Sequence, residues 1–280
     1  MVESAALADA IYRATGEAAV TLRSDVRAAI ARAIETEASN RGRSVLLQLL
    51  ENADIACTDR VPLCQDTGTA RVRVIAGEDA SLPAGIQAVA DDAVARAFSD
   101  FGLRMSTVRD ALLDRSNPGD NTPAFVEIVR VPGGRVRVDV MLKGGGSDNA
   151  SALAMLPPSA GLAGVKAFVL ETVAAKATGA CPPLVIGVGV GGTFDTVAGL
   201  AKKALLRQVG SPAATPEAGA IEAELLAAVN ATGIGPAGLG GTTSALAVHL
   251  ITAPSHIAAL PVAVNLGCCA MRSATVEVSA

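Results

Sequence analysis

Aromatic residues are almost missing from this 280-residue chain, with five Phe, one Tyr and no Trp, 2% in all. A surface on which nucleic-acid bases stack therefore has almost no rings to draw on. The net charge of −4 points the same way, because phosphate binding leaves a basic excess. Histidine is as scarce, with only His249 and His256. Zinc sites and Ser-His-Asp triads thus have few parts, and no H-E-x-x-H, Walker or G-x-S-x-G pattern occurs. Long apolar runs are absent too. A membrane-spanning helix needs about 20 apolar residues, whereas Leu184–Val190 and Ala258–Leu266 are short, β-branched and read as buried strands. The N-terminus carries Glu3, Asp9 and Glu17 and lacks the basic start and apolar stretch of a signal peptide, so a cytoplasmic protein is expected.

Half of the residues are hydrophobic. With so few rings, the core must be built from Ala, Val, Leu and Ile. The surplus apolar content fits either a large subunit interface or a deep sheet core. Five cysteines (57, 64, 181, 268 and 269) are an odd number in a chain without a secretory signal, which argues against a disulfide framework.

The order of elements predicts an α/β fold: N-terminal helices followed by mixed sheets flanked by helices. We read a single domain over 1–280, helical to about 58 and α/β from about 59, with no internal repeat. Leu7, Ile11 and Tyr12 mark one helical face, and Val26, Ile30 and Ile34 a second. Leu46, Leu47, Leu49 and Leu50 mark a third helix. Residues 61–68 break the pattern as a loop. Alternation over 70–75 predicts a strand with Arg71 and Arg73 on a wet face. Strands over 124–131 and 135–142, joined at Pro132-Gly133-Gly134, predict a hairpin. Helices are expected over 84–98, 164–176, 195–208 and 216–231, and buried strands over 184–190 and 262–266.

Several segments carry candidate chemistry. Gly187-Val-Gly-Val-Gly-Gly192 satisfies G-x-G-x-x-G between a strand and a helix, but the acidic residue expected about 20 positions on is missing. Nucleotide binding by an oxidoreductase is one reading; close helix–strand packing is the other. In Lys143-Gly-Gly-Gly-Ser-Asp-Asn149, three glycines after a strand suit either an anion cradle or a flexible turn. Pro62-Leu-Cys-Gln-Asp-Thr-Gly68 places a thiol beside a carboxamide and a carboxylate. Cys64 is there a metal ligand or an apolar thiol, and Asp66 a proton carrier or a turn residue. His249 reads as a core residue, and His256, in a loop, as the better functional candidate.

Six segments occur in order: PLCQDTG (62–68), GDNTPA (119–124), KGGGSDN (143–149), ACPPLVIGVGVGGTFD (180–195) with AKKALLR (201–207), GIGPAGLGG (233–241) and PVAVNLGCCA (261–270). Together they resemble the N-terminal half of class I fumarate hydratases and the α subunits of their two-chain relatives, over roughly three-quarters of the chain. The resemblance implies a [4Fe–4S] cluster on Cys64, Cys181 and Cys268, with Cys269 standing where the family usually has Trp. Three protein thiolates would leave one iron open as a Lewis acid. The resemblance also implies Asp66 as the catalytic acid, with Gln65, Arg104, Gly146 and His256 as substrate contacts. The departures are NPGDNTPA for NTGDNTPA and AMRS for a run ending in Arg-Arg. Groups that single-chain members carry in a C-terminal domain are expected on a separate β subunit in an α2β2 assembly. The implied reaction is hydration of fumarate to malate. L-tartrate dehydratase and mesaconate hydratase are the alternatives within the class; retention of KGGGSDN and GDNTPA favours fumarate.

Overall fold

The computed structural model describes residues 2–278, so the outermost residues of the single-domain reading lie outside it. The chain opens with α1 (Ser4–Val20), α2 (Ser24–Thr36) and α3 (Asn40–Asp59). It continues through β1 (Thr69–Gly77), α4 (Ile86–Asp100), β2 (Phe125–Val131), β3 (Val136–Lys143) and the short α5 (Gly145–Asn149). Then come β4 (Ala152–Leu156), α6 (Gly161–Lys176), β5 (Leu184–Gly192), α7 (Phe194–Ala204) and α8 (Pro216–Asn230). The last elements are β6 (Ala245–Ser255), β7 (Leu260–Gly267) and β8 (Ser273–Glu277). This is the expected mixed α/β architecture. No helix among the described residues is long and apolar enough to cross a membrane.

The chain divides into two compact units that exchange segments. The first comprises 1–23, 52–145 and 272–280, the second 24–51 and 146–271. The division does not follow the helical–α/β boundary near residue 58, because α3 contributes to both.

In the first unit a four-stranded sheet runs β2-β1-β3-β8. Its core joins Val72, Val74, Val138 and Val140 to Leu7, Ile11, Ala14 and Ala18 of α1 and to Ala90, Val94 and Phe98 of α4. Alanine at the contacting positions of both helices lets their backbones approach closely, which is how a core nearly without rings reaches high packing density. The expected hairpin is not formed. β2 lies parallel to β1 and β3 antiparallel to it, so β1 separates the two strands. The Pro132-Gly133-Gly134 turn arches over the end of β1, where Gly77 N–H donates to Arg135 O at 2.7 Å and Asp79 N–H to Gly133 O at 3.1 Å. The wet face of β1 is also corrected, for Arg73 is only 6% exposed. It sits opposite Glu127 on β2 and Asp139 on β3 and pairs with both, at 3.0 and 3.2 Å. Burial alone would raise the Glu127 carboxyl, yet Arg71 and Arg73 hold it below its ordinary value.

The second unit's sheet runs β4-β7-β5-β6, with β5 parallel to β6 and antiparallel to β7. Each sheet therefore centres on one strand, β1 or β5, between a parallel and an antiparallel neighbour, and a fourth strand pairs antiparallel with the latter. The pattern repeats, although the sequence shows no repeat. α7 packs on β5 because Gly187 and Gly189 have no side chain. A Cβ on Gly187 would overlap the Ala201 carbonyl, and one on Gly189 would stand 2.6 Å from the Val197 carbonyl. The G-x-G-x-x-G segment is thus accounted for by close helix–strand packing. Thr193 caps α7 through a capping box with Thr196. α7 ends at Ala204, earlier than expected, and Arg207 beyond it forks onto Glu222 of α8 at 2.7 and 2.5 Å.

Candidate active site

Within the first unit, residues 61–68 connect the end of α3 to β1. Leu63 anchors this loop, its N–H donating to Ala19 O at 2.9 Å and its carbonyl accepting from Asn52 Nδ2 at 3.0 Å. Gly68 then has φ of 76°, and a Cβ there would overlap the Lys143 carbonyl. Only glycine lets the loop enter β1 so close to the end of β3, where Thr69 pairs with Lys143.

This entry brings Asp66 onto the glycine run that follows β3. Gly145 N–H donates to Asp66 Oδ2 at 2.7 Å, and Arg104 Nη2 donates to Asp66 Oδ1 at 3.1 Å. Gly146, the expected backbone contact to substrate, follows Gly145 directly and is exposed. Cys64 is half-buried and its Sγ donates to Gln65 Oε1 at 3.4 Å, while Gln65 itself is exposed. The Arg104 side chain is 59% exposed, so its fork keeps donors free of protein partners at the surface.

Asn121 is a residue that the sequence reading did not single out. It is fully buried; its Oδ1 accepts from Ser106 N–H at 2.7 Å and Thr107 N–H at 3.1 Å, and its Nδ2 donates to Gly68 O at 3.1 Å. Thr67 Oγ1 adds a bond to Arg104 O. The loops bearing Asp66 and Arg104 are sewn together through these groups. Asn121 belongs to the GDNTPA segment, so the signal was present as a motif without a role. Next to it, the Thr122 hydroxyl and backbone N–H hold the Asp120 carboxyl below its usual range.

Within the second unit, Cys181 follows a 3₁₀ turn (Ala177–Ala180) and has φ of 53°, a conformation rare for a residue with a side chain. It is exposed, and its carbonyl accepts the Cys269 N–H at 3.1 Å. That bond joins the loop before β5 to the Cys268-Cys269 loop after β7. Pro182 O accepts the Ala237 N–H at 2.8 Å, drawing in the Gly233–Gly241 segment. None of the five cysteines is in a disulfide. Among the described residues, no group of three His, Cys, Asp or Glu side chains is arranged to hold a single metal ion.

His256 stands elsewhere. It is exposed in the β6–β7 turn, and its Nδ1 accepts the Ala258 N–H at 3.1 Å, leaving the proton of the neutral ring on Nε2. Cys181 and Cys268 lie at the other end of the same sheet, a strand length away. Eight residues of β7 span about 25 Å. His249 is a buried core residue whose Nδ1 meets Ala204 O at 3.1 Å, as its apolar setting implied.

Comparison with known proteins adds to this geometry. The family model described as "Fumarate hydratase (Fumerase)" matches residues 8–277. The chain is 37% identical over 273 residues to a Methanocaldococcus jannaschii protein named "Putative L(+)-tartrate dehydratase subunit alpha", covering 96% of each. It is 34% identical over 250 residues to the L(+)-tartrate dehydratase subunit alpha of Escherichia coli K12, covering 88% of this chain and 82% of that one. With Asp66 held between an arginine and a backbone amide beside a free thiol, and a family match along nearly the whole sequence, the chain belongs to the fumarate hydratase (Fumerase) family and is a hydro-lyase.

Proposed function

We propose that this chain is the α subunit of a two-subunit iron–sulfur hydro-lyase that interconverts fumarate and malate in the cytoplasm. The observation that carries the reading is Asp66. Its carboxylate is fixed by Gly145 N–H and Arg104, two residues from the free thiol of Cys64, in a loop that Asn121 and Leu63 hold rigid. A proton carrier must keep its position through turnover, and this one is held from two sides.

We assign Cys64, Cys181 and Cys268 as ligands of a [4Fe–4S] cluster. Their chemistry fits: three thiols outside any disulfide, each in a loop beside a strand end, with Cys181 in a backbone conformation rare for a residue with a side chain. A four-iron cube spreads its thiolates more widely than one ion does, so the lack of a compact single-ion site does not count against it. When bound through three thiolates, such a cluster supplies a Lewis-acidic iron. This chain's residues do the rest. Asp66 gives a proton to the departing hydroxyl and takes one back in the reverse direction. Arg104 orients Asp66 and offers its remaining donors to a substrate carboxylate. Gln65, next to both, contacts the substrate. The glycine run at 144–146 offers backbone N–H groups. His256, at the far end of its sheet from two of the cysteines, is left out of this set.

The "subunit alpha" names of the relatives support a separate β subunit, which we place with this chain in an α2β2 assembly. The intact GDNTPA and KGGGSDN segments support fumarate and malate as substrates. L-tartrate dehydration is the second reading, favoured by those same names. Anaerobic co-purification with a β-type chain, followed by parallel assays with malate, fumarate and L-tartrate, separates them. Faster turnover of L-tartrate selects the second reading; no turnover of any substrate by an iron-replete complex rejects both.

A further inference from the structure

Arg272 is the residue that the reading so far leaves unused. It belongs to the first unit, where its carbonyl accepts the Leu142 N–H at 2.9 Å just ahead of β8. It is only 3% exposed, and its Nε has no hydrogen-bond partner. The contrast with the other buried arginine of this unit is instructive. Arg73 is as deeply buried but pairs with Glu127 and Asp139. No ion pair to Arg272 is formed among the described residues. A guanidinium cannot shed its proton, so a buried one outside any direct ion pair is disfavoured and gains from an anion that joins it.

The direction in which the group points identifies where that anion sits. The space where a Gly144 side chain would begin is flanked by Asp66 Oδ2 at 2.9 Å and by Arg272 Nη2 at 3.1 Å. Gly144 is thus a gap in the wall between a carboxylate and a buried cation. Asp66 is already engaged by Gly145 and Arg104. The Arg272 fork is therefore available to a further carboxylate that enters beside Asp66. A small dicarboxylate seated there would meet opposite charges at separate points: a guanidinium to hold one end and the proton carrier near the reacting carbons.

We infer that Arg272 is a substrate-positioning residue that binds one carboxylate of the dicarboxylate next to Asp66. The inference rests on the proposed function for the identity of the anion, and the experiment separates the two. Arg272→Gln and Arg272→Lys are made in the iron-loaded α–β complex. Affinity for succinate, which has the carboxylates without the leaving hydroxyl, is measured by titration calorimetry beside KM, kcat, iron content and subunit association. Loss of a charge-assisted contact should weaken succinate binding about 10- to 100-fold in Arg272→Gln and raise KM comparably. kcat should stay within about threefold, and Arg272→Lys should recover part of the affinity. Iron content and assembly should match the unmodified complex. Unchanged succinate affinity in Arg272→Gln overturns the inference, as does an unmodified complex that fails to bind succinate. Loss of iron or of assembly in both variants assigns the guanidinium to the cluster or to a carboxylate of the β subunit and overturns it equally. Arg272-dependent succinate binding in a complex that turns over neither fumarate nor L-tartrate sustains the inference while sinking the proposed function.

Discussion

Asp66→Asn separates the proton-carrying role of this residue from its structural one. Asparagine keeps the shape and one acceptor oxygen but replaces the other oxygen with a donor. In the folded chain the two carboxylate oxygens accept from two donors, Gly145 N–H at 2.7 Å and Arg104 Nη2 at 3.1 Å. The amide satisfies one and opposes the other. Its better orientation keeps the Gly145 contact, the shorter of the two, and turns its NH₂ toward Arg104. Since the Arg104 side chain is 59% exposed and can be solvated, the stability cost is small, about 1 kcal/mol.

The kinetic cost is far larger if Asp66 moves a proton. Removing a positioned acid–base group lowers kcat by about 10²- to 10⁴-fold, or about 3–5 kcal/mol of barrier. The two magnitudes differ enough to be told apart. Initial rates of malate dehydration by the α–β complex should fall by at least about 100-fold, with iron content and visible absorbance retained and the melting midpoint lowered by only a few degrees. A variant that keeps its iron and turns over within about tenfold of the unmodified complex would show that Asp66 only ties Arg104 to the glycine run. Arg104→Gln should then match Asp66→Asn in every measurement, whereas a proton carrier makes Asp66→Asn the slower of the two.

Three further perturbations probe the scaffold and the ligand set. Cys64→Ser, Cys181→Ser and Cys268→Ser should each lower iron content and bleach the complex, while Cys57→Ser and Cys269→Ser keep both; full iron in Cys181→Ser would refute the assignment. Gly187→Ala, whose Cβ would overlap the Ala201 carbonyl, should destabilise the chain by about 3 kcal/mol, whereas Gly199→Ala, in α7 with nothing within 4 Å of its Cβ, should stabilise it by about 0.5–1 kcal/mol in thermal melts. The fully buried Glu37 has burial pushing its carboxyl up, but N–H groups of Ser39, Thr242 and Thr243 outweigh it and hold it below the usual value. Its stabilisation is therefore complete above the unfolded-chain value of about 4.3 and lost as pH falls through the lower folded value. Glu37→Gln should be less stable at pH 7 and show a flatter decline into acid, and parallel stability–pH curves for the two proteins would refute the coupling.

How much of this was legible beforehand depended on whether the signal was local. Apolar spacing is local, and it marked α1, α2 and the buried strands β5 and β7. In α3 the leucines marked the helix but not its buried face, for only Leu46 of the four is fully buried and Leu47 is 53% exposed. Strand partners are not local. Pro132-Gly133-Gly134 is a good reversal signal, but nothing in it says that β1 already occupies the space between the strands it joins. Arg71 and Arg73 read as solvent-facing because their counter-charges, Glu127 and Asp139, lie on other strands more than fifty residues away. Cys64 and Asp66 stood out by their spacing in PLCQDTG, with two readings each, whereas Arg104 and the full ligand set of Cys64, Cys181 and Cys268 became candidates only through resemblance. Asn121 and Arg272 escaped because their meaning lies in burial, which a single sequence does not display.

The repeated sheet pattern explains why the chemistry gathers where it does. In a strand flanked by one parallel and one antiparallel neighbour, the loop entering the central strand and the loop leaving the antiparallel one meet at the same end. In the first unit these are the Cys64–Gly68 loop and the Gly144-Gly145 run, and they bring Asp66 to an N–H donor. In the second unit they are Cys181-Pro182-Pro183 and Cys268-Cys269, joined by the Cys269 N–H to Cys181 O bond. One arrangement of strands thus presents a carboxylate with its arginines in one copy and thiols in the other. The strands share only a demand for small and β-branched residues, which Val72–Val74 and Val185–Val188 meet with different sequences, so the repeat is visible in the pairing and not in the letters. His256 occupies the turn at the opposite end of its sheet, the position that Pro132-Gly133-Gly134 fills in the first unit.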